Sequence, residues 1–507
     1  MISQWQLRAA FAQRLSDMYG REVPAYTTLV DVSHEVNGDV MCAAGAEAER
    51  LGSIGRVTAE RHGAIRVGTP DELQQVARIF GALGMHPVGF YDLREAAASA
   101  VPVVSTAFRP VDAEELARNP FRVFTSMLTP ADPRFFDDDL RRRLERFLAE
   151  RQLFPPELLD LADRAEARGG LPGAEAERFL HLAVQAFELS TEPLDRSWYE
   201  TLERVSAVAA DIGGVRSTHI NHLTPRVLDI DELYRRMTDR GIAMIDTIQG
   251  PPRWDGPDVL LRQTSFRALA EPRALRTDDG EVTTGALRVR FGEVEARGIA
   301  LTRQGRAHYD DLLARADTLA AQDPGADRGA ILRTLWERHF PGTERELAAR
   351  GHGFFTYHAV PSAKTGSAGP GRTADGVPPT LGGLLDAGWL RAEPIVYEDF
   401  LPRSAAGIFQ SNLSGEGSRD DARSAVAYDS DWLSGAIGRP VLDPFALYEE
   451  QRNASLARAA RELGLPGVPS AEPAAPAAAT DPSTGPSGTG DRDGTGHPDR
   501  TGDPDRT

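Results

Sequence analysis

The feature that most constrains this chain is a change of hydrophobic period part-way along it. Short segments of strand character, among them Ala64–Val67, Val101–Phe108, His222–Val227, Val259–Gln263 and Leu287–Glu295, surround a strongly helical run from Asp132 to Leu189. In that run Leu140, Leu144, Phe147 and Leu148 recur at helical spacing among charged residues, giving one apolar stripe. Pro155–Pro156 and Gly169–Gly170 cut the run into separate helices, and a second helical region covers roughly Arg306 to Arg350. The pattern predicts an α+β protein, a sheet of short strands interrupted by a large helical insertion. No short-period repeat is present. Because His62 and His222 each open a strand-like segment, a weak internal duplication is conceivable.

The 507 residues suffice for two or three domains or one large enzyme with insertions. A hydrophobic fraction of 41% is ordinary for a chain that buries a core. The N-terminus reads as an amphipathic helix carrying Trp5, Leu7, Phe11 and Leu15, without the continuous apolar core of a signal peptide. Nowhere do ~18 apolar residues run together, so no membrane span is expected and the expected compartment is the cytoplasm. The formal net charge of -18 disfavours nucleic acid and anionic membranes as partners. It leaves room for a small anion held by a local group of arginines. From about Pro469 to Thr507 the chain is Pro, Ala, Gly, Ser, Thr and Asp with no aromatic residue, which predicts a disordered tail over 466–507.

Cys42 is the single cysteine, so a disulfide framework and a cysteine-based metal site within one chain are excluded. Any metal must be held by His, Asp or Glu. Most of the eleven histidines have structural readings: His181 lies on an apolar helix face, His86, His308 and His339 lie in or beside helical stretches, and His497 is in the tail. Three segments stand apart. In Glu60–Thr69, strand alternation puts His62 and Arg66 on one side, where one could bind metal and the other clamp a carboxylate through its planar fork. A turn histidine and a surface arginine fit the same pattern. In Thr218–Asp231, Pro225 and the β-branched neighbours favour a strand, which places His222, Thr224 and Arg226 on one face and His219 and Asn221 on the other. One of the two histidines should then reach a given metal, although a strand-end histidine with a structural hydrogen bond fits equally. In Leu287–Gly298, alternation aligns Leu287, Val289, Phe291, Glu293, Glu295 and Arg297. Buried carboxylates need a metal or a cation, and periodicity does not choose between Glu293 and Glu295. Two histidines and a carboxylate suit non-haem iron(II) and also zinc.

At these segments the chain resembles a known family. ERHGAIRVGT, STAFRPVD with ARNPFRVFTSML, HINHLTPRVLDID, LLRQTSF, FGEVEARGIALT and YEDFLPRSAAGIFQSNL closely resemble the 2-oxoadipate dioxygenase/decarboxylase family, relatives of the vicinal-oxygen-chelate enzymes, in order from about Met18 to Leu447. The resemblance implies a vicinal-oxygen-chelate-like central sheet with helical additions. The catalytic body would span 1–465: a metal-binding sheet from about 28–110 and 213–300, a helical insertion at about 132–210, and a C-terminal part at about 301–465. It implies one Fe(II) and conversion of 2-oxoadipate, a small 2-oxo dicarboxylic acid, with O2 to 2-hydroxyglutarate and CO2, a step of lysine breakdown. The implied metal ligands are His62, His222 and Glu295, with Glu293 as the alternative to Glu295. Arg66 would hold a substrate carboxylate and position it for catalysis. The loop after YEDFLP would close the pocket and contribute Ser404. Arg403 stands where the family usually has valine, and its entry into the pocket would alter substrate preference. The competing expectations are an O2-independent metal-dependent lyase or isomerase on the same scaffold, and a non-catalytic dicarboxylate sensor marked by Arg403.

Overall fold

Pairing of backbone groups from distant parts of the chain organises the computed structural model. It describes residues 1–95, 101–287, 290–323, 325–360, 380–412, 419–420, 422–465, 467 and 469. The tail reading over 466–507 therefore falls almost wholly outside the described residues. The architecture is mixed α+β, with several small sheets rather than one large one. Among the described residues no helix is long and apolar enough to cross a membrane.

The main sheet has five strands: β1 (Arg61–Val67), β2 (His86–Asp92), β3 (Val103–Arg109), β4 (Arg122–Leu128) and β5 (Ile220–Pro225), in the spatial order β2-β3-β4-β1-β5. β1 to β4 form one unit. β1 runs into helix Pro70–Ala82, and β2, β3 and β4 then meander antiparallel until β4 returns parallel beside β1. The helix starts where Thr69 and Glu72 cap each other's backbone amides, a Thr-Pro-Asp-Glu signature readable in the sequence. The order then repeats. β5 leads into helix Ile230–Asp239, a segment at 244–249 bridges to β6 (Leu261–Ser265), and β7 (Glu293–Arg297) pairs antiparallel with β6. β7 returns parallel beside the end of β5, where the Val227 amide donates to the Glu295 carbonyl at 2.8 Å. The two histidine-led segments thus open units of similar order, although the second has a bridged segment at 244–249 where the first has a full strand, and carries an added hairpin at 271–287. Antiparallel pairing of β1 with β5 is the seam between the copies.

Five helices, from Asp138–Ala149 to Ala207–Gly213, fill the chain between the copies. Their apolar stripes join Leu144, Leu148, Leu161 and Phe179 to the core that backs the sheet. A second core gathers around Trp336, which stacks on Phe340 at 4.2 Å, and covers the outer side of 259–261 and 299–301.

The sequence expectation of one strand over Leu287–Glu295 is corrected here. Leu287 ends a different strand, paired with Glu271, and β7 begins only at Glu293, after Gly292. A Cβ on Gly292 would run into the Phe266 ring, so the chain passes too close for any other residue. Gly298 has a similar role. A methyl group there would fall within the backbone of Asp258 and Val259, while its amide and carbonyl bond Leu260 and Tyr397 at 2.8 and 2.9 Å. Gly298→Ala should therefore lower stability by about 1–3 kcal/mol through overpacking. A denaturant melt of this variant that superimposes on wild type would contradict the placement.

Candidate metal centre

His62, Ala64 and Arg66 face one side of β1, and in register with them β4 presents Arg122, Phe124 and Ser126. β5 adds Thr224 opposite His62 and His222 opposite Ala64. The register then slips by one residue, so that Ile220 pairs with Ile65 and Asn221 is the extra residue of a β-bulge. Simple alternation would send Asn221 to the opposite face. The bulge turns it to the same side as His222, where its amide nitrogen donates to Asp211 Oδ2 at 2.9 Å. Tyr19 pins the bulge from the N-terminal helix, its hydroxyl donating to the carbonyls of Asn221 and Phe291 at 3.0 and 2.8 Å.

The two histidines approach edge to face, with ring centroids 5.3 Å apart. Glu293 on β7 completes the group: its Oε2 lies 3.2 Å from His62 Nε2 and 3.5 Å from His222 Nε2. Potential ligand atoms of His62, His222 and Glu293 all fall within 4.8 Å of one another, and all three residues are buried. Among the described residues neither ring nitrogen of His222 has a hydrogen-bond partner. Burying such groups unpaired is costly, whereas a bound cation would satisfy the nitrogen that faces it. Neutral imidazoles and one carboxylate form a donor set suited to a divalent transition metal.

Glu295, the expected ligand, is placed differently. Both its oxygens are taken by Arg297, at 2.7 and 2.9 Å, and Oε2 also lies 2.9 Å from His62 Nδ1. The imidazole of His62 is therefore held between two glutamates, Glu293 at Nε2 and Glu295 at Nδ1. Glu293 is the one that shares a pocket with both histidines. Sequence alternation put both glutamates on one face and could not see that the adjacent Arg297 claims the nearer one.

Burial alone would depress the His62 pKa, but Glu295 and Glu293 outweigh it and raise the value. His222 is lowered to about 4, chiefly by burial, with the His62 and Arg66 charges adding to the effect. It is thus a neutral imidazole, the form that binds metal. Burial opposes ionisation of Glu295, yet Arg297, His62 and Arg122 bring it down to about 2.

Arg66 is buried on the histidine face, where its Nη1 pairs with Asp211 Oδ2. His219 does not join His222. Its Nε2 lies 3.3 Å from Asp211 Oδ1. Ser404 is buried in the first turn of helix Pro402–Asn412. Arg403 is not brought to the site: its side chain is 64% exposed and pairs with Asp317 at 3.4 Å.

Three elements the sequence reading did not single out close the centre. Phe400 stands edge-on to His62, 5.0 Å between ring centroids, and rests on Phe124. Phe291 covers His222 at 5.2 Å. Behind the site a buried charge network gathers Arg56, Arg122, Arg226 and Arg297 around Glu60, Glu295 and Glu398. Arg122 Nη2 donates to Glu60 at 2.7 Å and to Glu398 at 2.6 Å. Arg297 also donates to the carbonyls of Tyr397 and Asp399 at 2.8 and 3.0 Å, which fixes the segment carrying Phe400.

A buried group of two imidazoles and one carboxylate, set where the two strand-helix units meet, defines a candidate mononuclear metal protein. Comparison with known proteins narrows this. The family model for 2-oxoadipate dioxygenase/decarboxylase matches residues 11–412. A 2-oxoadipate dioxygenase/decarboxylase of Mycobacterium tuberculosis is 58% identical over 444 residues, covering 88% of this chain and 96% of the relative. One from Escherichia coli is 40% identical over 468 residues, covering 92% and 99%. The crystal structure of a hydroxyglutarate synthase from Pseudomonas putida in complex with 2-oxoadipate aligns with a TM-score of 0.76 at 38% identity, over 92% of this chain and 99% of that one. The chain belongs to the 2-oxoadipate dioxygenase/decarboxylase family.

The charge network carries a pH signature. Burial opposes ionisation of Glu398, but Arg56 and Arg122 hold its pKa below the ordinary 4.5. The unfolded chain therefore takes up this proton at higher pH than the folded one. The contribution to stability is complete above pH 4.5 and is lost as the pH falls toward the depressed folded value. Glu398→Gln should cost about 3–5 kcal/mol near neutrality and flatten the acid limb of the stability curve. Calorimetric melts from neutral pH downward would show this, and parallel acid limbs for the two proteins would refute it.

Proposed function

We propose that this chain is an Fe(II)-dependent enzyme that converts 2-oxoadipate and O2 to 2-hydroxyglutarate and CO2. The observation that carries the reading is the approach of Glu293 Oε2 to Nε2 of both histidines, with no hydrogen bond to either His222 ring nitrogen among the described residues, in a chain of this family. We read the duplicated topology as the vicinal-oxygen-chelate arrangement, with the site between its two copies. His62, His222 and Glu293 would hold the metal on one face and leave positions open for substrate and oxygen. When bound, Fe(II) supplies Lewis acidity, orientation and the electrons that oxygen activation requires.

The chain's own residues do the rest. Glu295 Oε2 lies 2.9 Å from Nδ1 of His62 and would pair with that side of the ring, leaving Nε2 toward the pocket, as carboxylates behind metal-binding histidines commonly do. Phe400, Phe291 and Phe124 exclude water. Arg66 binds a substrate carboxylate and so orients the carbon chain, a contribution made through proximity. Ser404, buried in the first turn of helix Pro402–Asn412, would add to the wall beyond Phe400. Arg403, exposed and paired with Asp317, supports a reading in which it takes no part in the pocket, which weighs against a sensor.

Oxygen uptake by purified, iron-loaded protein across a series of 2-oxo dicarboxylates tests the reaction. Consumption should be highest with 2-oxoadipate, with label from 18-O2 in the new hydroxyl group. Turnover without oxygen would instead assign a lyase or isomerase. The ligand set is tested by metal content. Glu293→Gln should leave the protein without stoichiometric iron, whereas Glu295→Gln should bind iron roughly 10–100-fold more weakly yet fill at saturation. The reverse pattern would make Glu295 the ligand. Arg66→Ala should raise KM with metal content retained.

A further inference from the structure

Asp211 sits on the short helix Ala207–Gly213 with its side chain 2% exposed, and nothing above gives it a task. Its Oδ2 receives both Arg66 Nη1 and Asn221 Nδ2, the latter at 2.9 Å. Its Oδ1 lies 3.3 Å from His219 Nε2, and that nitrogen is 3.1 Å from the Asn221 amide. Asn221 is the bulged residue, immediately before His222 in the chain. One carboxylate oxygen therefore ties the proposed substrate clamp to the backbone irregularity that aims a proposed metal ligand.

Two properties of this linkage exceed what neutralising a buried arginine requires. First, an arginine stem has many rotamers, and a carboxylate anywhere along it would balance the charge. Asp211 instead joins the guanidinium to the element that carries His222. Second, Asp211 is itself held from three sides, by Arg66, Asn221 and His219, so it acts as a fixed post. A clamp that holds one end of a substrate whose other end reacts works only if the distance between the two is fixed, and small misplacements cost heavily.

We propose that Asp211 is a positioning residue that sets the spacing between Arg66 and His222, and thereby the chain length of the 2-oxo dicarboxylate that is accepted. This rests on the reading of Arg66 as the carboxylate clamp. Asp211 acts through Arg66 and does not touch the substrate.

The test is steady-state kinetics of the iron-loaded full chain on 2-oxo dicarboxylates of five, six and seven carbons. Wild type, Asp211→Asn, Arg66→Ala and the double variant are compared. Asp211→Asn should raise KM for the preferred substrate about tenfold, change kcat less than about threefold, and narrow the preference between chain lengths. Iron content should stay at the wild-type level. In the Arg66→Ala background, Asp211→Asn should add less than about twofold, because both act on one interaction. Multiplicative effects would overturn the role of Asp211 alone. An unchanged KM for Arg66→Ala would overturn the clamp and this inference with it. A kcat that falls in proportion to iron content would assign Asp211 a structural role instead. If Asp211→Asn does not fold, His219→Leu removes one anchor and keeps the charge opposite Arg66. It should raise KM about threefold with kcat and iron unchanged, and an unchanged KM overturns the proposal.

Discussion

Everything at the centre depends on the antiparallel seam between β1 and β5. It is the contact through which two copies of one topology share a sheet, and it places His62 and His222 on neighbouring strands with their rings 5.3 Å apart. The seam is not regular, and the irregularity matters. A single extra residue at Asn221 turns two consecutive side chains to one face, so β5 delivers His222 toward Glu293 and Asn221 toward Asp211. Tyr19 holds that bulge by the buried Asn221 carbonyl, giving the N-terminal helix a share in the site's geometry.

The second constraint is electrostatic. A chain of net charge -18 buries four guanidinium groups against three carboxylates directly behind the centre. In a medium with little water such pairs are strong only if each partner is kept. They do two jobs at once: Arg297 secures Glu295 against His62, and through the Tyr397 and Asp399 carbonyls it secures the segment that lays Phe400 over the same ring.

How much of this was legible in the residues differs from element to element. The strands bearing His62 and His222, the helices after Asp132, the exclusion of cysteine chemistry and the pairing of His62 with Arg66 on one face all follow from period and composition. Between Glu295 and its alternative Glu293, the geometry groups Glu293 with the two histidines. Alternation is blind to which of two carboxylates on one face an adjacent arginine will claim, and Arg297 takes Glu295. Placing Asn221 on the far face failed because a bulge breaks the period that the reading assumed. Arg403, a conspicuous charge in an apolar motif, turned outward to Asp317, since helix Pro402–Asn412 presents that position to solvent. Phe400, Asp211, Tyr19 and Glu398 had no local signal, because each matters only through contacts with residues more than a hundred positions away or from another element.

By itself, then, the sequence determined the inventory: which elements form, which donors exist for a metal, and through the family motifs which chemistry they serve. Periodicity and residue type are local properties, and they suffice for those answers. Only the tertiary structure decided which donors meet, because His62, His222 and Glu293 come together through strand register and one bulge. A slip of one residue reverses the face of every side chain after it.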